Sequence, residues 1–454
     1  MLASRASIRY AQIEMPETVP NTVIVGEQRG DEAKGAFIDR LAHEFDLVAR
    51  FNGGQNAGHK VFHNGRILSL HGVPSGIAHP GTINVIGNGT LMNAAKLSDE
   101  IDSVREQGIE ITPDNLKISS AMHLVLPHHE MLDSIRENGT GAQGSTKSGI
   151  AQVASAKSER IGLQVGKVVD DEDTLCNAVT AGITPDIIDA VNQARELKDM
   201  APLHVEEIVE EYIQKARKLA DFIIDTPIYL NEALSAGNSL LAEGAQAFLL
   251  DVDHGMYPFV TSTGTTSGAV SPGLGVPPST IERVIGVVKA TQSHVGGGPF
   301  VTEIHDPERL EVLVGKEGEV DSERGTTTGR IRRMGHLDIA GIRRAQMVNG
   351  THEMALSKLD CVPRYGATAL VCVGYNFNGQ NVKIAPGSGA DLEKCQPVYE
   401  ELPTWEENIQ DIRDFDDLPK NAQHYIKFIE DQTDVPITMI GVGPGRDQYI
   451  TREA

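Results

Sequence analysis

Short apolar runs rich in β-branched residues recur along the chain and alternate with stretches of helical spacing. The runs predicted as buried strands are Thr22–Val25, Leu47–Phe51, Ile83–Gly89 with its closing turn, Leu240–Gln246, Val284–Ala290, Ala355–Asp360 and Ile437–Arg446 with its tight loop. Helical spacing predicts helices over Ala36–Phe45 and Asn93–Glu106. This alternation favours an α/β protein with a large, mostly parallel central sheet and helices on both faces.

Two stretches between these elements have a different pattern. Residues 167–240 keep apolar positions at helical spacing, as in Val205–Ile213, and are predicted to form a helical insertion or cap. Residues 139–150 are rich in glycine, serine and threonine and are predicted to form a mobile loop. No internal repeat is visible in the sequence. We therefore expect one elaborated α/β unit.

The first strand, loop and helix form a candidate phosphate site. The polar loop Gly26–Gly35 joins the strand Thr22–Val25 to the first predicted helix. Glycine-bearing turns at helix N-termini bind anions through free backbone N–H groups and the helix dipole. Lys34 can add a point charge to a bound phosphate. The loop does not match G-x-x-x-x-G-K-[ST], so phosphate binding is a hypothesis at this stage.

Asp31 and Glu32 are unexpected in a phosphate cradle, because a carboxylate repels phosphates. One explanation is that Asp31 holds a Mg2+ ion that also binds the phosphates. Another is that Asp31 takes a proton from the group that attacks phosphorus, and the two roles are compatible. The alternative is an acidic surface turn in which Lys34 is merely solvated.

Three later loops are candidate binding segments. Asn52–Lys60 carries three glycines, which let the backbone approach a ligand, and His59, a candidate acid or charge stabiliser. Gly325–Arg333 combines hydroxyls with guanidinium groups, which suit a carboxylate or phosphate. In the pair Lys358 and Asp360, the aspartate can accept two N–H bonds from guanine while the lysine stem covers the base. An ordinary exposed loop is the alternative in each case.

Composition and charge narrow the class of protein. The chain has 454 residues, 40% hydrophobic and 23% charged, and is long enough to bury a large core. Its net charge of −23 argues against general nucleic-acid binding. The four cysteines form no C-x-x-C pair, so neither zinc nor a disulfide framework is predicted. No apolar run approaches the roughly 20 residues of a membrane span, and residues 1–20 lack the apolar core of a secretory signal. We expect a cytoplasmic enzyme that binds no membrane.

Taken together and in order, these motifs resemble the adenylosuccinate synthetase family. The likeness extends from about residue 22 to 450 and includes Gly30-Asp31-Glu32 with Lys34-Gly35, Gly53-Gly54 with Asn56-Ala57-Gly58-His59, Pro74–Ile77, Leu126–His129, Glu243–Gln246, Tyr257–Ser262, Val295–Phe300, Thr327–Arg330 and Val442–Pro444. The resemblance implies a P-loop-like, GTP-dependent ligase of purine and AMP biosynthesis. GTP would phosphorylate O6 of IMP, and the amine of aspartate would then displace the phosphate. It also implies an N-terminal extension over residues 1–20 and a single catalytic domain over 21–454.

The resemblance assigns roles residue by residue. Asp31 would accept the N1 proton and bind Mg2+ together with the carbonyl of Gly58, and His59 and Gln246 would complete the catalytic set. The residues implied for the purine nucleotide are Asn56, Thr146, Arg160, Gln246, Thr261 and Arg330. Those implied for the amino acid are Thr326, Thr327, Thr328, Gly329, Arg330 and Arg332. Those implied for GTP are Gly30, Glu32, Lys34, Gly35, Gly58, Lys60, Arg332, Lys358, Asp360, Gly441 and Gly443. Arg160 matches an arginine that reaches the neighbouring subunit, which implies a homodimer.

The chain also departs from the family pattern. Arg29 replaces an aromatic residue, Ala33 a glycine, Lys60 a threonine and Gly441 a serine, and Thr146–Ala151 lacks an arginine and a glycine. Two alternatives therefore stay open. The first is the same chemistry on (d)GMP, giving 2-aminoadenylosuccinate, as in viral relatives. The second is a non-catalytic nucleotide-binding regulator, against which the retained proton acceptor and its neighbours speak.

Overall fold

The computed structural model describes residues 19–56, 58–63, 66–137, 145–167, 171–316, 322–324 and 331–453. Its strands are, in chain order, β1 Thr22–Gly26, β2 Leu47–Arg50, β3 His59–His63, β4 Arg66–Leu70, β5 Ile83–Ile86, β6 Leu91–Met92, β7 Leu116–Ser119, β8 His123–Leu124, β9 Ile223–Ile224, β10 Leu240–Glu243, β11 Arg283–Lys289, β12 Gln292–His294, β13 Arg333–Gly335, β14 Leu337–Asp338, β15 Glu353–Ser357, β16 Thr368–Phe377, β17 Gln380–Val382, β18 Gln396–Pro403, β19 Ile437–Gly441 and β20 Tyr449–Thr451. Its α-helices are α1 Lys34–Leu41, α2 Ala94–Glu106, α3 Pro127–Glu137, α4 Ile150–Glu159, α5 Glu172–Gly182, α6 Pro185–Glu196, α7 Val205–Arg217, α8 Thr226–Ser235, α9 Val270–Leu274, α10 Pro307–Val314, α11 Ile339–Asn349, α12 Gly389–Leu392 and α13 Lys420–Thr433.

A ten-stranded sheet organises the fold. Its strand order is β20-β19-β15-β11-β1-β10-β2-β5-β7-β9. Neighbouring strands run parallel throughout, except for the antiparallel edge pair of β19 and β20. The predicted large, mostly parallel sheet is therefore confirmed.

Both faces of the sheet are buried, which explains the uninterrupted apolar runs in the sequence. In β1, Val23 and Val25 belong to a core on one face with Phe51. Ile24 points to the other face and packs in a second core with Phe37 of α1. Successive residues of a strand point to opposite faces, so a strand covered on both faces has apolar residues at most of its positions.

The helix-rich region predicted at 167–240 is confirmed by α5, α6, α7 and α8. Leu175 of α5 and Tyr212 of α7 share a core cluster with Leu97 of α2. The region thus packs against the sheet's own helices. Within the described ranges, no helix is long and apolar enough to cross a membrane. The four cysteines are free thiols, as expected.

Several predicted boundaries are wrong by a few residues. The first helix begins at Lys34, two residues earlier than predicted, and ends at Leu41, followed by a 3-10 turn. Phe45 is extended, with φ −119° and ψ 143°, because the chain must already turn into β2. Predicted strands such as Leu240–Gln246 end early because their last residues leave the sheet to form loops. Those loops build the site described next.

Candidate active site

A cavity of about 840 Å³ opens at the carboxyl ends of the central strands. Ligands of open parallel sheets bind at this edge, where successive loops meet. Most residues that were predicted to bind substrates or to catalyse the reaction line this cavity. They are Gly30, Asp31, Lys34, Gly35, Asn56, Gly58, His59, Thr146, Gln246, Thr261, Arg332, Lys358, Asp360, Gly441 and Gly443. Segments far apart in the chain therefore form one site.

The other predicted site residues either do not line the cavity or lie outside the described part of the structure. Of the described residues, Glu32 is fully buried behind the loop and Arg160 is exposed at the end of α4, and neither lines the cavity. Lys60 lies in β3, and its side chain is outside the described part of the structure. Thr326, Thr327, Thr328, Gly329 and Arg330 all lie outside the described residues.

The loop after β1 has the backbone shape of an anion cradle. Gly30, Asp31 and Ala33 all have positive φ, at 91°, 59° and 65°. For non-glycine residues this conformation costs about 1 kcal/mol or more and persists only where the surroundings impose it. Glu32 supplies part of that constraint, since its carboxylate accepts the Gly30 N–H at 2.8 Å and pairs with Lys34 Nζ at 2.7 Å. Lys34 is only 5% exposed, so it is not the solvated lysine of an acidic surface turn.

Asp31 projects into the cavity and meets one cation there. Its Oδ2 lies 2.9 Å from Arg332 Nε, and its side chain is about one-third exposed (34%). The Nε–H does not point at that oxygen, because Nε makes no hydrogen bond to any described residue. The contact is nevertheless favourable, since Arg332 is only 8% exposed and Asp31 is the first of the groups that raise the pKa of Arg332 against the effect of burial. Because Asp31 is itself partly exposed, a ligand in the cavity can reach its carboxylate.

His59 is held from behind by a buried carboxylate. Its Nδ1 lies 2.6 Å from Glu243 Oε1 and 3.1 Å from Ser75 Oγ. Glu243 is fully buried and also accepts the Ser75 N–H at 2.8 Å. Burial alone would raise the pKa of Glu243, but the neighbouring His59 and Arg50 lower it. An ionised carboxylate only accepts hydrogen bonds, so Nδ1 carries a proton and Nε2 is the nitrogen available to a ligand; Nε2 can donate only when the ring is doubly protonated.

Several buried polar atoms in the described cavity wall have no partner among the described residues, and two of them belong to Gln246 and Thr261. Gln246, with φ 59°, donates from Nε2 to Asn56 Oδ1 at 3.2 Å, but its Oε1 is buried without a described partner. The hydroxyl of Thr261 is also buried and unpartnered among the described residues. Such atoms are rare in native proteins and call for a bound molecule or water. These two positions therefore suit a polar ligand with both donors and acceptors.

The segment that carries Thr146 is anchored to α3. Asp133 accepts hydrogen bonds from Ser145 Oγ and the Gly149 N–H, each at 3.0 Å. Gly149 has φ 69°, and a Cβ there would lie 2.8 Å from the His129 backbone. The predicted mobile loop is thus fixed at its C-terminal part, while residues 138–144 lie outside the described ranges. Sequence reasoning missed Asp133 because no local motif marks it.

The far end of the cavity contains the predicted base-recognition pair. Asp360 Oδ2 accepts a hydrogen bond from Gln410 Nε2 at 3.2 Å. Arg40 of α1 donates to the carbonyls of Gly445 and Arg446, both at 2.9 Å, and so ties the loop after β19 to the helix that follows the phosphate loop. The two ends of the cavity are therefore fixed relative to one another.

Comparison with known proteins shows to which family the chain belongs. The family model described as adenylosuccinate synthetase matches residues 23–450. The chain belongs to the adenylosuccinate synthetase family. This family catalyses the GTP-dependent conversion of IMP and aspartate to adenylosuccinate in purine biosynthesis. The resemblance stated from the motifs is thus confirmed.

Individual relatives agree with the family assignment. The chain is 41% identical to the adenylosuccinate synthetase of Halothermothrix orenii over 95% of this chain and 99% of that protein. It is 39% identical to that of Bacillus cytotoxicus over 94% and 97% of the two chains. The fully ligated adenylosuccinate synthetase of Plasmodium falciparum superposes with a TM-score of 0.85 at 34% identity, covering 96% of this chain and all of that one.

A more distant solved structure shares the fold alone. The succinoaminodeoxyadenylate synthetase of cyanophage S-2L, bound to dGMP and dATP, has a TM-score of 0.59 and 18% identity. Each chain is covered over 96% of its length. At this identity the similarity carries no information about which purine the present chain uses.

Proposed function

We propose that this chain joins aspartate to C6 of IMP, with Asp31 as the proton acceptor and GTP as the phosphoryl donor. Family membership supports the overall reaction. The observation that carries the assignment of Asp31 is its position: it is the acid of a phosphate-type loop that projects into the same cavity as His59 and Gln246. An inert nucleotide binder has no need of a carboxylate at that point.

In the first half-reaction, Asp31 takes the proton from N1 of IMP, which makes O6 nucleophilic. O6 then attacks the γ-phosphorus of GTP, the bond to the β-bridging oxygen breaks, and GDP leaves. Lys34 and the backbone N–H groups of the cradle bind phosphate oxygens. His59, with Nδ1 fixed by Glu243, presents Nε2 to the charge that develops on the transferred group. Gln246 and Asn56 orient the purine.

In the second half-reaction, the aspartate amine attacks C6 and the phosphate leaves from it. Arg332 and the segment Thr326–Arg330 are proposed to hold the carboxylates of aspartate, because guanidinium groups and hydroxyls pair well with carboxylates. The product is adenylosuccinate.

The oxygen donors at Asp31 and Gly58 fit a Mg2+ ion. Both residues line the cavity, and Mg2+ prefers one or two protein oxygens together with substrate phosphates and waters. Among the described residues there is no group of three or more metal-binding side chains. A bound Mg2+ would neutralise phosphate charge during transfer. Asp31 and the Gly58 carbonyl are the two protein groups proposed to hold it.

A phosphate-release screen tests the proposed reaction. Purine nucleoside monophosphates and amino acids are combined with Mg-GTP and the purified protein. We expect turnover with IMP and aspartate. A preference for dGMP or GMP would favour the (d)GMP alternative, and nucleotide binding without any turnover would favour the regulator.

Asp360 should set the preference for guanine. Asp360→Asn removes a charged acceptor for the N1 and 2-amino groups, so GTP recognition should weaken by roughly 1.5–3 kcal/mol. XTP carries a 2-oxo group that the asparagine amide can donate to, so its relative use should rise. The ratio of kcat/KM for GTP and XTP measures this. Equal use of ATP and GTP by the unmodified protein would contradict the assignment.

Arg160 should act across a homodimer interface. It ends α4 with φ 66° and is exposed in its own chain, outside the cavity that its neighbours line. In a two-fold dimer each site could receive this guanidinium from the partner. Arg160→Leu should therefore raise KM for IMP strongly while GTP binding changes little.

Mixing variants separates action across the interface from action within one chain. Arg160→Leu combined with Asp31→Asn gives mixed dimers with one doubly damaged site and one intact site. Random exchange makes half the dimers mixed, so activity should recover to about a quarter of normal. Demonstrated subunit exchange without recovery would place Arg160 within its own site or outside catalysis.

A further inference from the structure

Beneath the GTP side of the cavity lies a buried carboxylate to which no role has been given so far. Glu323 is 2% exposed and does not line the cavity. Its carboxylate accepts a hydrogen bond from Arg332 Nη1 at 2.8 Å and from Ser293 Oγ at 3.0 Å. Lys358 Nζ also donates to it. Lys289 Nζ lies 3.2 Å from each of its two oxygens.

Three cations thus converge on one anion in a place that water does not reach. Burial alone would raise the pKa of Glu323, but the three cations hold it well below its usual range. Burial lowers the pKa of Lys289 to about 8, although Glu323 opposes that shift. Buried charges are costly unless they are paired and hydrogen-bonded, so the cluster depends on this single carboxylate.

The four partners of Glu323 fall into two groups. Arg332 and Lys358 reach the cavity, whereas Lys289 and Ser293 are absent from its described lining. Lys289 is 1% exposed and completes the cluster from below. Glu323 therefore contacts both cavity cations from the protein side, and both cations also line the cavity.

Arg332 shows why such an anchor matters. In this structure it lies between two acids, Asp31 and Glu323. Asp31 lines the cavity and is proposed to act on the substrates, so it is not a fixed anchor for Arg332. Glu323 is then the acid that keeps the guanidinium in place, through a hydrogen bond with good geometry.

We propose that Glu323 is a positioning residue for GTP, which fixes Arg332 and Lys358 toward the nucleotide. The inference rests on the proposed function together with the family resemblance, which assigns both cations to GTP and Arg332 to aspartate as well. Glu323 touches neither substrate nor reacting atoms. Its effect passes through the two side chains that it holds.

The test compares Glu323→Gln with Lys289→Met in the full-length protein. Glu323→Gln keeps the size of the side chain but removes the charge that holds both cavity cations. KM for GTP should rise about tenfold to a hundredfold, with a much smaller change in KM for IMP. Lys289→Met removes a buried member of the same cluster but leaves both Arg332 and Lys358 bonded to Glu323. It should lower the melting temperature and leave KM for GTP within about threefold.

A double variant covers the case in which Glu323→Gln does not fold. Lys289→Met with Glu323→Gln removes one positive and one negative charge, so the net charge of the buried cluster is unchanged. It should still show the raised KM for GTP, relative to Lys289→Met alone. Equal KM values in those two proteins would overturn the positioning role. Absence of GTP-dependent turnover in the unmodified protein would instead contradict the proposed function.

Discussion

Asparagine in place of Asp31 should lower turnover by about 10²–10⁴-fold at saturating GTP, IMP, aspartate and Mg2+. The amide has nearly the same size but is neither a base nor an anion. IMP would then keep its N1 proton, O6 would remain a poor nucleophile, and the proposed Mg2+ site would lose its one carboxylate. Initial rates of phosphate release measure the loss.

The structure predicts that turnover is lost because the reaction is impaired and not because the protein unfolds. The Asp31 carboxylate is about one-third exposed (34%), and Arg332 keeps its buried partner Glu323 when Asp31 is replaced, so the melting temperature should change little. Asp99→Asn is a matched control, because Asp99 forms a surface ion pair with Lys215 away from the cavity. Near-normal turnover of Asp31→Asn under these conditions would show that the proton acceptor lies elsewhere.

Loss of the His59 ring should produce the second large effect. His59→Asn removes the imidazole that we propose to face the transferred phosphoryl group. In that role the doubly protonated ring donates from Nε2, and one such donor contributes about 10²–10³-fold to kcat. The ground-state contacts of GTP lie mainly in the cradle and at Asp360. We therefore expect kcat to fall far more than KM for GTP rises. Steady-state kinetics at varied GTP separates the two.

Two further variants sharpen this result. His43→Asn changes a histidine that is 60% exposed on the turn after α1, and it should leave kcat unchanged. Glu243→Gln leaves the ring in place but weakens its charge-assisted anchor at Nδ1, so kcat should fall by an intermediate amount. If His59→Asn kept normal kcat, the role of His59 in phosphoryl transfer would be wrong.

The central sheet could be predicted from sequence because burial on both faces leaves a strong local signal. Val23, Ile24 and Val25 must all be apolar, whichever way they point. The second sheet of β14, β16, β17 and β18 was not predicted. Its strand β18 is largely exposed and polar, and it is a strand only because it pairs with β16. Pairing of that kind depends on long-range contacts, which a local pattern does not contain.

The residues of the candidate site also differ in how far the sequence alone reveals them. Residues in glycine-bearing loops after strands, such as Asp31 and His59, stand out because the loop chemistry is local. Their supporting partners do not stand out. Glu243 was visible only as one acid at the end of an apolar strand, and its pairing with His59 spans 184 residues. Glu323 and Asp133 likewise act through distant partners, so only the folded structure connects them to the cavity.

The order of strands in the sheet has a consequence for the protein during its own synthesis. β1 pairs with β10 and β11, and the Leu240 N–H bonds to Asn21 across 219 residues. At about 5–20 residues per second, a ribosome needs roughly 10–40 s to make that stretch. The Glu27 N–H waits longer still, because its acceptor, the Val287 carbonyl, lies in β11, which is made after β10. The nascent chain therefore carries an unfinished phosphate loop, and it cannot bind GTP in its final manner until β11 has emerged.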